Sequence, residues 1–137
     1  MSLGRVNSIG SVDIAISGLR AESRRMDIIA NNIANARTSR TETGQPYRRK
    51  ELVVSTDDDL LAGVRIEEVI GDKDNPFQHV LMPGHPDADD QGYVEMPNVS
   101  LPREMIDMVT ASRAYQANAA ILKRYQRDVD ITLELLR

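Results

Sequence analysis

The sequence predicts an α+β chain in which a long helix at each terminus packs with the other as an antiparallel coiled-coil hairpin beside a small β-rich middle. Three observations predict it. An apolar heptad seam runs through the first helix, a second runs through the last, and the stretch between holds five of the six prolines and five of the eight glycines. The chain therefore divides into 1–38, a first helix; 39–99, a β-rich middle and loop; and 100–137, a second helix.

In the first segment Ile9, Val12, Ile16, Leu19, Ser23, Met26, Ala30 and Ile33 follow alternating steps of three and four, which keeps them on one face of a helix. Asn7 or Ser8 is expected to cap its start, and the Thr, Ser and Gly residues of 38–44 to stop it. Gly18 costs roughly 1 kcal/mol against Ala in a helix, so contacts rather than propensity must hold this one. Asn31, Asn32 and Asn35 are poor helix formers crowded into five positions. Their amides can fix register or cap a helix end.

The middle reads as four short strands, at 47–55, 64–70, 77–82 and 92–96, separated by turn signals at Asp57-Asp58-Asp59, Gly71-Asp72, Asp74-Asn75-Pro76 and Pro83-Gly84. Pairing is expected, but nothing local sets its register.

The last segment repeats the first design. Leu101, Met105, Met108, Ser112, Tyr115, Ala119, Leu122, Gln126, Val129, Leu133 and Leu136 form its seam, and no Gly or Pro interrupts 103–137. Ser100 is a suitable N-cap, Pro102 is harmless in the first turn, and Glu104 and Asp107 suit the positive end of the helix dipole.

Composition narrows the function. Aromatic residues make up 4% of the chain, with one Phe and no Trp, so a large self-contained core is not expected. The absence of Cys removes disulfides, thiolate metal sites and thiol nucleophiles. No apolar run approaches the ~18 residues of a membrane span, and no cleavable leader is legible at the N-terminus. Residues 1–50 carry nine Lys or Arg against four Asp or Glu, residues 51–100 carry two against twelve, and residues 101–137 carry six against five. Charge divided in this way suits contact between the basic part of one copy and the acidic part of another.

Enzyme readings find no motif. His85, Asp87 and Asp89, with His79 nearby, offer metal-ligand atoms but neither zincin nor calcium-loop spacing. No nucleophile elbow or phosphate-binding glycine loop exists. The arginines of the first fifty residues are interleaved with Asp13, Glu22, Asp27 and Glu42 and lack stacking aromatics before Tyr47, a poor nucleic-acid surface.

Ser17-Gly18-Leu19-Arg20-Ala21, followed by Ile29-Ala30-Asn31-Asn32-Ile33-Ala34-Asn35-Ala36-Arg37-Thr38, resembles the N-terminal signature of the bacterial flagellar rod and hook protein family. The run Pro83-Gly84-His85-Pro86-Asp87-Ala88-Asp89, then Gln91-Gly92-Tyr93-Val94 and Met96-Pro97-Asn98-Val99, is similar to the proximal-rod branch of that family. So are Glu104-Met105, Ala111-Ser112-Arg113-Ala114-Tyr115 and Asn118 near the other end. Gly18 stands where the family usually has Ala or another helix former, and Arg37 where Asn or Asp is more usual.

The resemblance implies a structural, non-enzymatic subunit of the periplasm-spanning rod of the flagellar basal body, polymerising through its terminal helices into the shaft that carries torque from rotor to hook. It implies as partners other copies of the chain, other flagellar rod proteins and the flagellar type III export apparatus, which takes its substrates without a cleavable signal. No cofactor, metal, small-molecule substrate, nucleic acid or membrane insertion is expected. The assembly residues are then Ile9, Val12, Ile16, Leu19, Met26 and Ile33 on the first helix and Met105, Met108, Tyr115, Leu122, Val129 and Leu133 on the second. Asn31, Asn32, Asn35 and Asn118 would fix register, and Tyr93, Pro97 and Asn98 would set the approach into the second helix. The alternative from the residues alone is a soluble coiled-coil adaptor or secretion chaperone.

Overall fold

The structure, a computed structural model, describes residues 3–56 and 63–137, with side chains from residue 10 onward. Its elements in chain order are α1 (Leu3–Ala34), β1 (Lys50–Thr56), β2 (Val64–Gly71), β3 (Gln78–Leu81), β4 (Tyr93–Met96) and α2 (Leu101–Leu135). The α+β class is as expected, and the expected turn at Asp57-Asp58-Asp59 lies outside the described residues.

α1 begins at Leu3, so Asn7 and Ser8 sit inside the helix and neither caps it. No breaker occurs at residues 3–6 except Gly4, and extending a helix backward costs far less than nucleating one. At the other end Asn35 N–H still donates to Asn31 O (3.0 Å), and Thr38 N–H donates to Asn35 O (3.0 Å) as the chain turns away. α2 starts where expected, with Ser100 extended at the N-cap (φ −101°, ψ 108°), but the Ser100 hydroxyl makes no capping bond. Pro102 sits in the first turn, where no helical acceptor awaits its missing N–H.

The two helices run antiparallel. Gly18 faces Asn118 and Asn32 faces Glu104, so advancing fourteen residues along one helix retreats fourteen along the other. The deepest burial on α1 falls on Ala15, Ala21, Ile28, Ile29 and Asn32, and on α2 at Glu104 and Ala111. Val12, Ile16, Leu19, Met26 and Ile33 of the heptad seam stand half-buried beside that line. Small side chains let the helix backbones approach, and the larger seam residues are left at the edges of the contact.

β1 and β2 form an antiparallel hairpin with a shift in register between Val53 and Val54, and β3 pairs antiparallel with β4. The two sheets are separate. Gly63, at φ +73°, leads into β2 where an added Cβ would overlap the Ser17 hydroxyl, and Val64 N–H donates to that same hydroxyl (3.0 Å). The hairpin is therefore fastened to the middle of α1 at one end. The Arg48 guanidinium lies 4.3 Å from the centre of the Phe77 ring, joining the start of β1 to the lead-in of β3 by a cation–π contact. Apart from Pro46, Tyr47, Val94, Pro97 and Val99, little of the described middle segment is buried hydrocarbon.

Candidate functional site

The most constrained place in the chain is polar. Asn32, on the last full turn of α1, is completely buried. Its amide group donates to Lys50 O (2.9 Å) and to Glu104 Oε2 (3.0 Å), and its oxygen accepts from Lys50 N–H (3.0 Å) and from the Tyr47 hydroxyl (2.9 Å). Two donors and two lone pairs are thus all used. The side chain acts as one residue of a strand, pairing the outer edge of β1 at Lys50, while it holds the first turn of α2.

Arg49 continues the joint on the other side. Its Nε meets Glu104 Oε1 at 2.5 Å, and its outer nitrogens reach Glu51, Asp72 (3.8 Å) and Asp107 (3.5 Å). Its backbone N–H donates to Asn98 Oδ1 (2.8 Å), and the Asn98 amide donates to Asp72 O (3.1 Å) and Asn75 O (3.0 Å). Four segments distant in sequence meet here: the end of α1, the start of β1, the 72–75 turn and the start of α2.

The charges respond to this packing. Burial works against the Arg49 charge, but its bonds to Glu104 and Glu51 outweigh that and raise its pKa above the ordinary guanidinium value. Burial, and then the Glu104 charge, push the Tyr47 hydroxyl up, keeping it a neutral donor. Burial alone would raise the Asp72 carboxyl, yet bonds from the Asn75 amide, the backbone N–H groups of Asn75 and Asp74, and the Arg49 charge hold it below its usual range. A buried ion pair is worthwhile only when its remaining valences are filled, and here they are.

The expected residues separate into groups. Asn32 and Asn98 belong to the joint, and Pro97 is buried beside it. Asn31 and Asn35 instead bond back along their own helix, to Asp27 O (2.8 Å) and Asn31 O (2.9 Å). Asn118 lies against Gly18: a Cβ there would come within 2.7 Å of Asn118 Nδ2. Tyr93 is exposed on β4. Met105 (57% exposed), Tyr115 (39%), Val129 (38%) and Leu133 (60%) turn outward, while Met108 and Leu122 are half-buried. Ile9 lies in α1 with its side chain outside the described residues. Glu104, expected only to complement a helix dipole, is fully buried as an ion-pair and hydrogen-bond partner.

Arg49, Tyr47 and Asp72 are the residues sequence reasoning missed as a group. The acidic loop weighed for metal binding is engaged otherwise. Asp87 accepts from Ser39 Oγ (2.7 Å) and pairs with Arg40 (3.4 Å), and its N–H donates to His85 Nδ1 (3.1 Å). Asp89 Oδ1 accepts from Gln91 N–H (2.9 Å) and Tyr93 N–H (2.8 Å). The first of these contacts, the Ser39 hydroxyl bond, does most to lower the Asp87 pKa. The Asp87 bonds to Ser39 and Arg40 tie the loop to the segment that leaves α1.

Residues 13–40 match the family described as flagella basal body rod protein, and residues 90–135 match the flagellar basal body rod FlgEFG protein C-terminal family. The chain is 40% identical to the flagellar basal-body rod protein FlgC of Borreliella burgdorferi over 82% of its own length and 86% of the relative. It is 41% identical to that of Salmonella typhimurium, over 90% and 93%. With the Bacillus subtilis protein of the same name it shares 32% over 82% and 87%. These likenesses span both helices and the joint between them, and the chain belongs to the flagellar basal-body rod protein FlgC family.

Proposed function

We infer that this chain is a structural subunit of the bacterial flagellar basal-body rod, located in the basal body and taking part in motility. The observation that carries this is identity of about 40% with FlgC proteins across nearly the whole chain. The matched relatives are rod proteins rather than enzymes, and none supports the adaptor or chaperone reading. Among the described residues no helix is long and apolar enough to cross a membrane.

The finer reading is that the terminal helices form a coiled-coil pair completed by neighbours in the shaft. Support comes from the outward apolar side chains of α2, among them Met105, Ile106, Val109, Ile121 and Leu133, more than a helix facing only water carries. The partners are other rod proteins and further copies of the chain. The seam residues from Ile9 to Ile33 and from Met105 to Leu133 are the proposed contacts, and torque passes through them. Delivery is by the flagellar type III export apparatus, which a small, weak core suits because the chain is easily unfolded before assembly.

Deleting the gene from its host is expected to abolish rod assembly and swimming, with both restored by a plasmid copy. A deletion strain that still builds rods and swims would overturn the reading.

A further inference from the structure

A trough of about 320 Å³ lies beside the polar joint. Its floor is the α1 face carrying Ile28 and Ile29, one wall is the start of β1, and the other is α2 at Arg103, Thr110 and Ala111. The β1 wall is an open strand edge. Asp72 N–H donates to Arg49 O, so Arg49 turns its backbone toward β2, and Lys50 turns its own outward, where Asn32 satisfies both groups. By strand alternation Leu52 faces outward as well. Among the described residues nothing bonds the outward N–H or C=O of Leu52. Such an edge is a template for another strand.

The trough also has a sign. Glu22 pairs with Arg25, and Glu51 and Asp107 are engaged by Arg49. Lys50 and Arg103 have no ion-pair partner among the described residues, which leaves the wall positive. The chain carries its own complement. β2 is exposed along nearly its whole length and, among the described residues, has no strand on its outer side. Glu67 there pairs with Arg65 and accepts from the Ser55 hydroxyl, whereas Glu68, beside Ile66, Val69 and Ile70, has no ion-pair partner among the described residues.

We propose, on the footing of the rod reading, that the trough of one copy receives the outer edge of β2 from a second copy, extending the hairpin into a sheet shared between subunits. Backbone bonds at Leu52 give the contact its direction, and Glu68 meets Lys50 and Arg103. The two surfaces differ, so the contact is head-to-tail and leaves a free trough and a free β2 at the ends of any row. Such a contact builds an open filament rather than a closed dimer.

Because the chain has no Cys, single-cysteine variants test this directly. Full-length Thr110→Cys and Val69→Cys proteins, mixed under mild oxidation at low salt, are expected to form the mixed disulfide dimer roughly tenfold faster than Thr110→Cys mixed with Gln126→Cys, and to slow as salt rises. A second pair keeps the test independent of cysteine reactivity. Lys50→Glu/Arg103→Glu and Glu68→Lys are each expected to lose association with the unaltered chain in sedimentation, and to regain it with one another. Equal cross-linking rates for the two mixtures, or association indifferent to both charge reversals in folded proteins, would overturn the shared sheet. Rod assembly that persists in cells expressing either reversal would sink this contact and leave the rod reading standing, whereas a motile deletion strain would sink the rod reading itself.

Discussion

Asn32 and Glu104 stand 72 positions apart and share a buried hydrogen bond of 3.0 Å that ties the end of the first helix to the start of the second. Glu104 turns its other oxygen to Arg49 at 2.5 Å. One carboxylate therefore joins both helices to the middle segment, and its removal is felt in all three.

Glu104→Ala is expected to destabilise the chain by about 3 kcal/mol, since it leaves the buried Asn32 amide and Arg49 Nε without their acceptor while Arg49 keeps Glu51, Asp72 and Asp107. Glu104→Gln keeps the shape and one acceptor and should cost less. Urea midpoints of the folded chain, followed by circular dichroism, separate the two. Equal and small losses would mean that the joint contributes little.

The three clustered asparagines should behave differently. Asn32→Leu strands Lys50 N–H, Lys50 O and the Tyr47 hydroxyl, and should cost about 3 kcal/mol or more. Asn31→Ala is expected to change stability by no more than about 0.5 kcal/mol, in the stabilising direction, because its amide only bonds back along an exposed helix and Ala propagates helix better. Thermal melts of the two variants side by side check the contrast.

Gly18→Ala adds helix propensity but places a Cβ 2.7 Å from Asn118 Nδ2. Alone it is expected to be neutral or destabilising. Combined with Asn118→Ala it should stabilise by about 1 kcal/mol, a non-additivity that a double-mutant cycle measures directly.

Acid should loosen the 72–75 turn first. The Asp72 pKa is held below its ordinary value of 3.8 in the folded chain. Its contribution is complete above that value and disappears as pH falls through the lowered folded value. Asp87, also lowered, adds loss in the same direction. Tyr47 works from the opposite end: its raised pKa gives a contribution present below 10.0 and lost as pH rises beyond it. Stability measured from pH 2 to 11 should fall at both ends. Asp72→Asn should flatten the acid limb, and a limb unchanged by that substitution would remove Asp72 as its cause.

Hydrogen exchange on the isolated chain should divide along the same lines. Every residue of 123–137 is exposed, so amides toward the end of α2 are expected to exchange fast, and those of Asn32, Arg49, Lys50 and Ala111 slowly. Addition of rod partners should slow the former. Uniform protection in the dilute monomer would show that the helices need no neighbours.

The heptad steps from Ile9 to Ile33 and from Leu101 to Leu136 were enough to place both helices, and Gly and Pro punctuation placed the four strands within about three residues of their observed ends. Asn32 was legible as unusual because Asn is costly in a helix interior. Its partners were not. Arg49 and Glu104 are 55 positions apart, and nothing local distinguishes Arg49 from Arg48 or Lys50, so selection among three adjacent cations is decided only by which way β1 turns. The line of closest helix approach is illegible in the sequence for a related reason. A heptad pattern marks where the large apolar residues lie, whereas the closest approach follows Ala15, Gly18, Ala21 and Ala111, whose smallness carries no periodic hydrophobic signal.

Arg49 has four carboxylates within reach where a simple pair would have one. A joint made of one contact would either hold or snap. With Glu51, Asp72, Glu104 and Asp107 arranged around a single buried guanidinium, loss of any one carboxylate still leaves the charge facing three others. The connection between helices and middle is thereby redundant, held by a cluster and not by a single clasp.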